Sequence, residues 1–232
     1  MNRKLLISII LPAHNEEEIL AKTLSDLLQK LPEITSSFEI IIVENGSNDQ
    51  TLKIAQNFAQ KFPKIKIKKL TKPSYGKAIK RGIETASGKK IFCFNVDFYD
   101  LKFLSRAVKL LDKFDIIIGS KNLKGTRDQR SLLRKLITKS FNFLIKVLFH
   151  FKGTDTHGLK AFRKNKILPF LPLCKTEREI FDTELILRSI RGGLTIQEIP
   201  VSVEEKRPTR KPLILRIMPT LIDLFKLFGL WF

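Results

Sequence analysis

The sequence predicts an α/β protein: a doubly wound, mostly parallel sheet followed by an amphipathic C-terminal helical tail. Three observations carry that expectation. Compact apolar runs alternate with segments of helical period through the first half of the chain, which is the pattern of βαβ units. The runs end in clusters of Asn, Asp, Glu and Gly, where open α/β sheets place ligands outside the carboxyl ends of their strands. The segment 213–232 is apolar but broken by Arg216, Pro219, Asp223, Lys226 and Gly229, so it reads as a surface-lying helix and not a spanning one.

Taken in order, residues 5–11 form the first expected strand, and 16–31 has helical spacing through Ile19, Leu20, Leu24, Leu27 and Leu28. A second buried strand is read at 38–43, closed by Asn45-Gly46-Ser47-Asn48-Asp49, and a second amphipathic helix at 51–62. The Ile-Lys-Ile-Lys alternation within 65–70 fits a half-exposed edge strand. A helix at 77–86 stops at Gly88, a buried strand follows at 91–94, then a helix at 101–111 and a strand at 116–119.

Beyond Gly119 the character changes. Residues 121–134 are polar and basic, and 132–151 is a long helix candidate with Arg134, Lys135, Lys139 and Lys146 among Leu, Ile and Phe. That helix reads equally as a membrane-surface element or as a core helix whose lysines snorkel to water. A helix at 180–191 stops at Gly192-Gly193, 195–203 alternates like a strand as far as Pro200, and 204–212 is a basic loop. We read 1–212 as one domain, with a change of role near residue 119, and 213–232 as the tail.

The 232 residues carry 43 Lys and Arg against 23 Asp and Glu, a net charge of +20. Such a field attracts nucleic acid, an anionic membrane surface or phosphorylated substrates. The basic residues interleave with Leu and Phe at helical spacing and match no nucleic-acid motif, so no specific nucleic-acid partner is expected. Cys93 and Cys174 have neither metal-ligand spacing nor a disulfide framework, which fits a reducing compartment. The N-terminal apolar run leads straight into His14-Asn15-Glu16-Glu17-Glu18 and is read as a strand, not a signal peptide. No G-x-G-x-x-G follows the first strand, and no phosphate-binding G-x-x-x-x-G-K-[ST] occurs.

The stretch Ile91 to Asp100, IFCFNVDFYD, runs an apolar strand into Asn95-Val96-Asp97. Taken alone, these acids read either as caps of the next helix or as oxygen ligands for a hard cation such as Mg²⁺ or Mn²⁺. Other stretches line up with it. Pro12-Ala13-His14-Asn15-Glu16 follows the first strand, Glu44-Asn45-Gly46-Ser47-Asn48-Asp49-Gln50-Thr51 follows the second, and Gly76-Lys77-Ala78 precedes the third motif. In register, these resemble the motifs of the family 2 glycosyltransferases, which have the GT-A fold.

In the second half, Arg134 through Thr138 with Asn142 resembles the R-x-x-x-S helix of dolichyl- and polyprenyl-phosphate sugar transferases. Asp155 to Phe162 is similar to their D-x-x-x-G-x-K-x-F segment, one residue shorter, and Phe181-Asp182-Thr183-Glu184-Leu185 with Glu198-Ile199-Pro200-Val201 matches a further signature.

The resemblance implies a single inverting displacement that moves a hexose, mannose or glucose, from a GDP- or UDP-sugar to a polyprenyl or dolichyl phosphate. It implies Mg²⁺ or Mn²⁺ at Asn95 and Asp97, with Asn95 standing where the family commonly has Asp and Tyr99 where it often has Gln. Pro12, Ala13, Asn15, Glu16 and Glu44 would hold the base and ribose, beside Asn95, Val96 and Asp97, while Gly76 and Lys77 would approach the diphosphate.

A lipid phosphate is already anionic and needs no strong general base, so cations on it matter more. Lys121, Arg134, Arg207 and Lys211, with Thr138, are the acceptor-phosphate candidates, and Asp97, Arg134 and Arg207 the catalytic ones. The expected setting is cytoplasmic, peripheral on the cytoplasmic face of a membrane with an anionic surface. A glycan hydroxyl acceptor with Asp182 as base, and a GT-A-fold binding protein of weak activity, are the alternatives. Asp182 and Glu184 read as acceptor-positioning or bracing residues. Oligomeric state is not set by the sequence.

Overall fold

The computed structural model describes residues 7–203 and 214–231. Its first half follows the expected alternation: β1 (Ile7–Ala13), α1 (Leu20–Ile34), β2 (Phe38–Asn45), α2 (Thr51–Lys61), β3 (Ile65–Leu70), α3 (Tyr75–Thr85), β4 (Lys90–Cys93), α4 (Leu101–Leu110) and β5 (Ile116–Ser120). Then come β6 (Arg127–Asp128), α5 (Leu132–Phe149), β7 (Leu159–Arg163), α6 (Lys164–Ile167), a 3₁₀ segment (Leu168–Leu173), α7 (Phe181–Arg191), β8 (Ile196–Pro200), β9 (Ser202–Val203) and α8 (Ile214–Gly229).

The main sheet has seven strands in the order β3-β2-β1-β4-β7-β5-β8. Every pairing in it is parallel except those of β7, which runs antiparallel to both β4 and β5. β1 pairs with β2 on one side and β4 on the other, so the strand order reverses there and opens a crevice at the carboxyl ends.

Side chains alternate across the sheet and build two cores. Ile7, Ile9 and Leu11 pack with Leu20, Leu24 and Leu27 of α1 and with Phe103 and Leu104 of α4. On the other face Ile10, Ile41 and Val43 pack with Ile79 and Ile83 of α3 and with Leu185 and Ile186 of α7. Strands covered on both sides must be apolar nearly throughout, which is why β1, β2 and β4 read as compact apolar runs.

The differences from the sequence reading have local causes. α1 begins at Leu20 and not at Glu16, because the Glu16 carbonyl accepts from both Ile19 and Leu20 and closes a turn first. That turn follows Asn15, whose φ of 55° lies in the left-handed region that Asn tolerates better than most residues. α5 stops at Phe149, where His150 takes φ 52°. β7 was expected only as a motif and not as a strand. It is buried along its length although its second residue is Lys160, because that ammonium is neutralised inside the fold by Asp182 at 2.6 Å. The short pair β6–β9 was not anticipated; two-residue strands carry no periodic signal.

Close backbone approach is built into the centre of the sheet. A Cβ on Gly158 would stand 2.0 Å from the Gly119 carbonyl oxygen, and one on Gly82 2.4 Å from Ile10 Cγ2. Gly158→Ala meets main chain that cannot swing away, so it is expected to lower unfolding free energy by about 2–3 kcal/mol. A urea midpoint equal to wild type would show that β7 does not pack this tightly against β5.

Candidate active site at the carboxyl edge of the sheet

The loops after β1 and β2 are laced to each other by side chain-to-backbone hydrogen bonds. Asn48 N–H donates to Asn15 Oδ1 at 2.8 Å, Asn15 N–H to Ser47 Oγ at 3.1 Å, and His14 Nδ1–H to the Asn45 carbonyl at 2.9 Å. Glu16 N–H donates to Thr51 Oγ1 at 2.7 Å, and Gln50 N–H to Glu17 Oε2 at 2.9 Å. Glu44 is buried at the end of β2, paired in register with Ala13, and its Oε1 accepts the Ser47 N–H at 2.5 Å. Asp49, just ahead of α2, accepts the Thr51 N–H at 2.9 Å. Burial pushes its carboxyl up, but the Thr51 hydroxyl and N–H and the Glu17 N–H outweigh that and hold it below its usual range.

At the end of β4 the backbone closes a tight turn, with Asn95 N–H donating to the Phe98 carbonyl and Phe98 N–H to the Asn95 carbonyl. Val96 is buried, and its carbonyl accepts the Thr23 hydroxyl at 2.8 Å, which pins the turn to α1. The cap of α4 is Asp100, which accepts from Lys102 and Phe103 N–H. Asp97 thus precedes the capping residue in a turn fixed by neighbouring backbone bonds, half-buried at the strand end. Tyr99 turns toward α1 and donates to Asp26 at 2.8 Å; burial and that carboxylate raise its phenol pKa.

The start of α3 faces the loop before α7. Gly76 N–H donates to the Glu177 carbonyl at 2.8 Å, and a Cβ there would meet that oxygen and Phe181 at 2.9 Å. Gly76 is therefore demanded by packing against α7. Lys77 pairs with Glu177 at 2.8 Å, both about half exposed, a geometry worth little in water and easily exchanged.

Between β5 and α5, Arg130, which the sequence reading did not single out, grips Asp128 through two N–H···O bonds of 2.9 and 2.8 Å. Its third N–H reaches Thr138 Oγ1 at 3.2 Å, and Thr138 donates to the Arg134 carbonyl one turn back. The signal was available in Asp128-Gln129-Arg130, a fork-and-carboxylate pair two residues apart in a basic loop. β6 pairs with β9, and Ser202 of β9 donates to Asp100 Oδ2 at 3.1 Å. A continuous line of contacts therefore runs from the α4 cap, through β9 and β6, to the Arg134–Thr138 turn of α5. Asn142, one turn beyond Thr138, is buried, and neither of its amide atoms has a hydrogen-bond partner among the described residues. Side chains on a helix lean toward its N-terminus, so this amide lies over the Thr138 turn.

Lys121 is not a surface cation. It donates to the His157 carbonyl at 2.8 Å and lies 3.4 Å from Asp155, and burial lowers its pKa more than Asp155 restores it. Beside it Asp182 Oδ2 accepts from Lys160 at 2.6 Å and from the Tyr75 hydroxyl at 2.9 Å, while Oδ1 is buried without a hydrogen-bond partner among the described residues. Burial and the neighbouring Asp182 push the Tyr75 phenol and the Cys93 thiol up, so both stay protonated. Glu184 braces the loop before α7: it accepts from the N–H groups of Lys175 and Thr176, from the Thr176 hydroxyl and from Arg188. Arg207 and Lys211 lie outside the described residues.

Among the described residues no group of three or more His, Cys, Asp or Glu could hold a metal. What the strand end offers is one carboxylate, Asp97, and one amide, Asn95, on a fixed turn. That donor set fits a hard cation that takes most of its oxygens from a diphosphate, as Mg²⁺ does.

Protonation of this interior has a definite sign. Burial, with the charges of Lys160 and Lys121, depresses the His157 imidazole below 6.5, so the folded state excludes a proton the unfolded chain binds. Burial raises Asp155 and Glu184, but Lys121 and N–H donors around Asp155, and Thr176, Lys175 and Arg188 around Glu184, win and leave both low. All three groups contribute stability above their unfolded values that is lost as pH falls. Denaturant midpoints are expected to drop first as pH falls below 6.5 and again below 4.5. His157→Gln should flatten the first stage, and an unchanged profile in that variant would remove His157 from the account.

The comparisons with known proteins fit this geometry. The model of glycosyl transferase family 2 matches residues 8–169. A dolichyl-phosphate beta-glucosyltransferase of Dictyostelium discoideum is 31% identical over 219 residues, covering 86% of this chain and 66% of that protein. Its Homo sapiens counterpart is 29% identical, covering 86% and 67%, and glycosyltransferase AglD of Haloferax volcanii is 26% identical, covering 91% and 35%. The chain thus spans about two thirds of the length of the dolichyl-phosphate relatives, 66% and 67%, and 35% of the archaeal one. Among solved structures, glucosyl-3-phosphoglycerate synthase from Mycobacterium tuberculosis with Mn²⁺, UDP and glucosyl-3-phosphoglycerate superposes with TM-score 0.65 at 17% identity, covering 91% of this chain and 75% of that one. Mannosyltransferase PcManGT from Pyrobaculum calidifontis with GDP-Man and Mn²⁺ gives 0.63 at 18%, covering 93% and 61%. At these identities the likeness is one of fold, and the fold is GT-A. With a sheet of this topology and a family match across most of its length, the chain belongs to glycosyl transferase family 2.

Proposed function

We propose that this protein transfers a hexose from a nucleotide diphosphate sugar, GDP- or UDP-linked, to a polyprenyl phosphate. The carrying observation is the juxtaposition at one sheet edge of the strand ends bearing Asn15, Glu44 and Asp97, tied through Asp100, Ser202, Asp128 and Arg130 to Thr138 of α5. The names of the dolichyl-phosphate relatives support the lipid acceptor and favour glucose as the sugar. The division of labour follows the chain: residues 1–119 bind the donor, 120–212 the acceptor, and 213–232 form the tail.

In this reading the β1 and β2 loops hold the nucleoside. Pro12, Ala13, Asn15 and Glu16 line the wall, and Glu44 presents a carboxylate where hydroxyl or ring N–H groups donate. Lys77, paired only with a half-exposed Glu177, exchanges that partner for a diphosphate oxygen. Asp97, with Asn95 as a neutral second ligand, would hold Mg²⁺ or Mn²⁺, which when bound would supply charge compensation for the departing diphosphate. The acceptor phosphate oxygen attacks the anomeric carbon as the carbon–oxygen bond to the diphosphate breaks, which inverts that centre.

Arg134 and Thr138, with Arg207 and Lys211 from the basic segment 204–212, orient the attacking phosphate, and Arg suits it because its planar fork binds two oxygens. Lys121 acts from below by fixing the Asp155–His157 loop. The burial of Asp182 against Lys160 and Tyr75 weighs against its service as a base, and so against a hydroxyl acceptor. The protein works at the cytoplasmic face of a membrane; no helix among the described residues is long and apolar enough to cross one.

The test is a panel of radiolabelled GDP- and UDP-hexoses with polyprenyl phosphate and Mn²⁺ or Mg²⁺, read as butanol-extractable label. Asp97→Ala is expected to lower the metal-dependent rate on the order of 100-fold or more. Full metal-dependent activity in that variant, or label transferred to glycans alone, would overturn this assignment.

A further inference from the structure

α5 packs one apolar face against the body and presents a second apolar face to solvent. At the helical period, Leu132, Leu133, Leu136, Phe143 and Val147 fall within one arc of about 100°. Their exposures are 82%, 61%, 62%, 65% and 55%. Lys135, Lys139 and Lys146 border that arc along one side, while Asn142, Ile145 and Phe149 are buried on the opposite face. A contiguous exposed apolar stripe of this kind marks a docking surface. α8 repeats the arrangement. Met218, Ile222 and Phe225 are exposed, whereas Leu224 and Leu227 are buried and Asp223 is clamped by Arg178 at 2.6 and 2.8 Å. Phe149 of α5 meets Phe228 and Trp231 edge-on at 6.0 and 5.4 Å, which joins the two helices near their C-terminal ends.

We infer that the outer faces of α5 and α8 dock on an anionic lipid leaflet, with the Leu and Phe side chains below the headgroups and the bordering lysines among the lipid phosphates. This deepens the proposed function, on which it rests only for the lipid nature of the acceptor. Charge argues for lipid over a second copy: two chains of net charge +20 would oppose like rows of lysine. Lysine stems are long enough to leave the ammonium at headgroup level while neighbouring Leu and Phe sink. Arg134 and Thr138 lie on the same helix, within a turn of Leu133 and Leu136. At the helical period Arg134 and Thr138 fall on the face away from the apolar arc, so docking holds them on the aqueous side of α5, within a helix width of the headgroups where a membrane-held polyprenyl phosphate carries its charge.

The experiment is sedimentation of the full chain with vesicles of phosphatidylcholine alone and of phosphatidylcholine with phosphatidylserine. Strong pelleting is expected only with the anionic vesicles. Leu133→Ser/Leu136→Ser/Phe143→Ser is expected to lower partitioning at least about tenfold. Lys135→Gln/Lys139→Gln/Lys146→Gln should lower it on the order of 100-fold at low salt. Urea midpoints equal to wild type check that these exposed substitutions leave the fold intact. Both variants should keep wild-type turnover of a short, water-soluble prenyl phosphate, so failure of docking is read separately from failure of transfer. Wild-type partitioning of the serine variant, equal pelleting with neutral vesicles, or a wild-type dimer that the serine variant converts to monomer without any vesicle binding would each overturn the proposal.

Discussion

The ion pair between Lys160 and Asp182, 2.6 Å apart and almost fully buried, is the contact on which the second half of the structure depends. β7 enters the middle of the sheet against the direction of its neighbours, and Lys160 stands opposite Cys93 in the register. A bare ammonium there would meet a low-dielectric interior on both faces. Asp182 satisfies it and also receives the Tyr75 hydroxyl, so one carboxylate joins β7, α7 and α3. Removing one member of such a pair costs about 3–5 kcal/mol, because the other charge stays buried alone. The same pair explains why Asp182 is unavailable to the crevice above it.

Around that anchor the site is held by short polar links and not by apolar packing alone. The β1 and β2 loops exchange hydrogen bonds through Asn15, Ser47, Asn48, Asp49 and Thr51, so their backbone is defined before any ligand arrives. Val96 in the core and Thr23 on its carbonyl do the same for the turn that carries Asp97. Preorganisation of this kind lowers the ordering cost of binding a ligand. The region after β5 is different in kind. The Arg130–Asp128 fork stands just ahead of α5, and the buried amide of Asn142 sits on that amphipathic helix, whose apolar arc is unburied.

The sequence was most legible where one physical rule acts alone. Strands covered on both faces must be apolar, so β1, β2, β4 and β5 were readable to within a few residues, and Ile65–Leu70 declared its edge position by alternation. The ends of α1 were less readable, because a turn at Glu16 precedes the helix and Pro32 is accommodated near its end. At the strand end the cap reading holds for Asp100, and Asp97 stands three residues ahead of it in the turn. Gly76 and Lys121 were expected at the substrate. Phe181 packs against Gly76, and Asp155 and the His157 carbonyl engage Lys121, partners that lie 34 to 105 positions away and leave no mark on local pattern.

What the sequence by itself determined is the α/β class, the parallel core and the positions of the motif-bearing loops, because hydrophobic period and turn chemistry are local properties of the chain. Only the tertiary structure decided that β7 inserts antiparallel, since a charged strand can be buried only when a distant residue neutralises it. It also decided which way α5 faces. A helix mixing Leu, Phe and Lys has the same periodicity whether its apolar arc meets the core or the solvent, and the packing of Asn142, Ile145 and Phe149 against the body turned that arc outward.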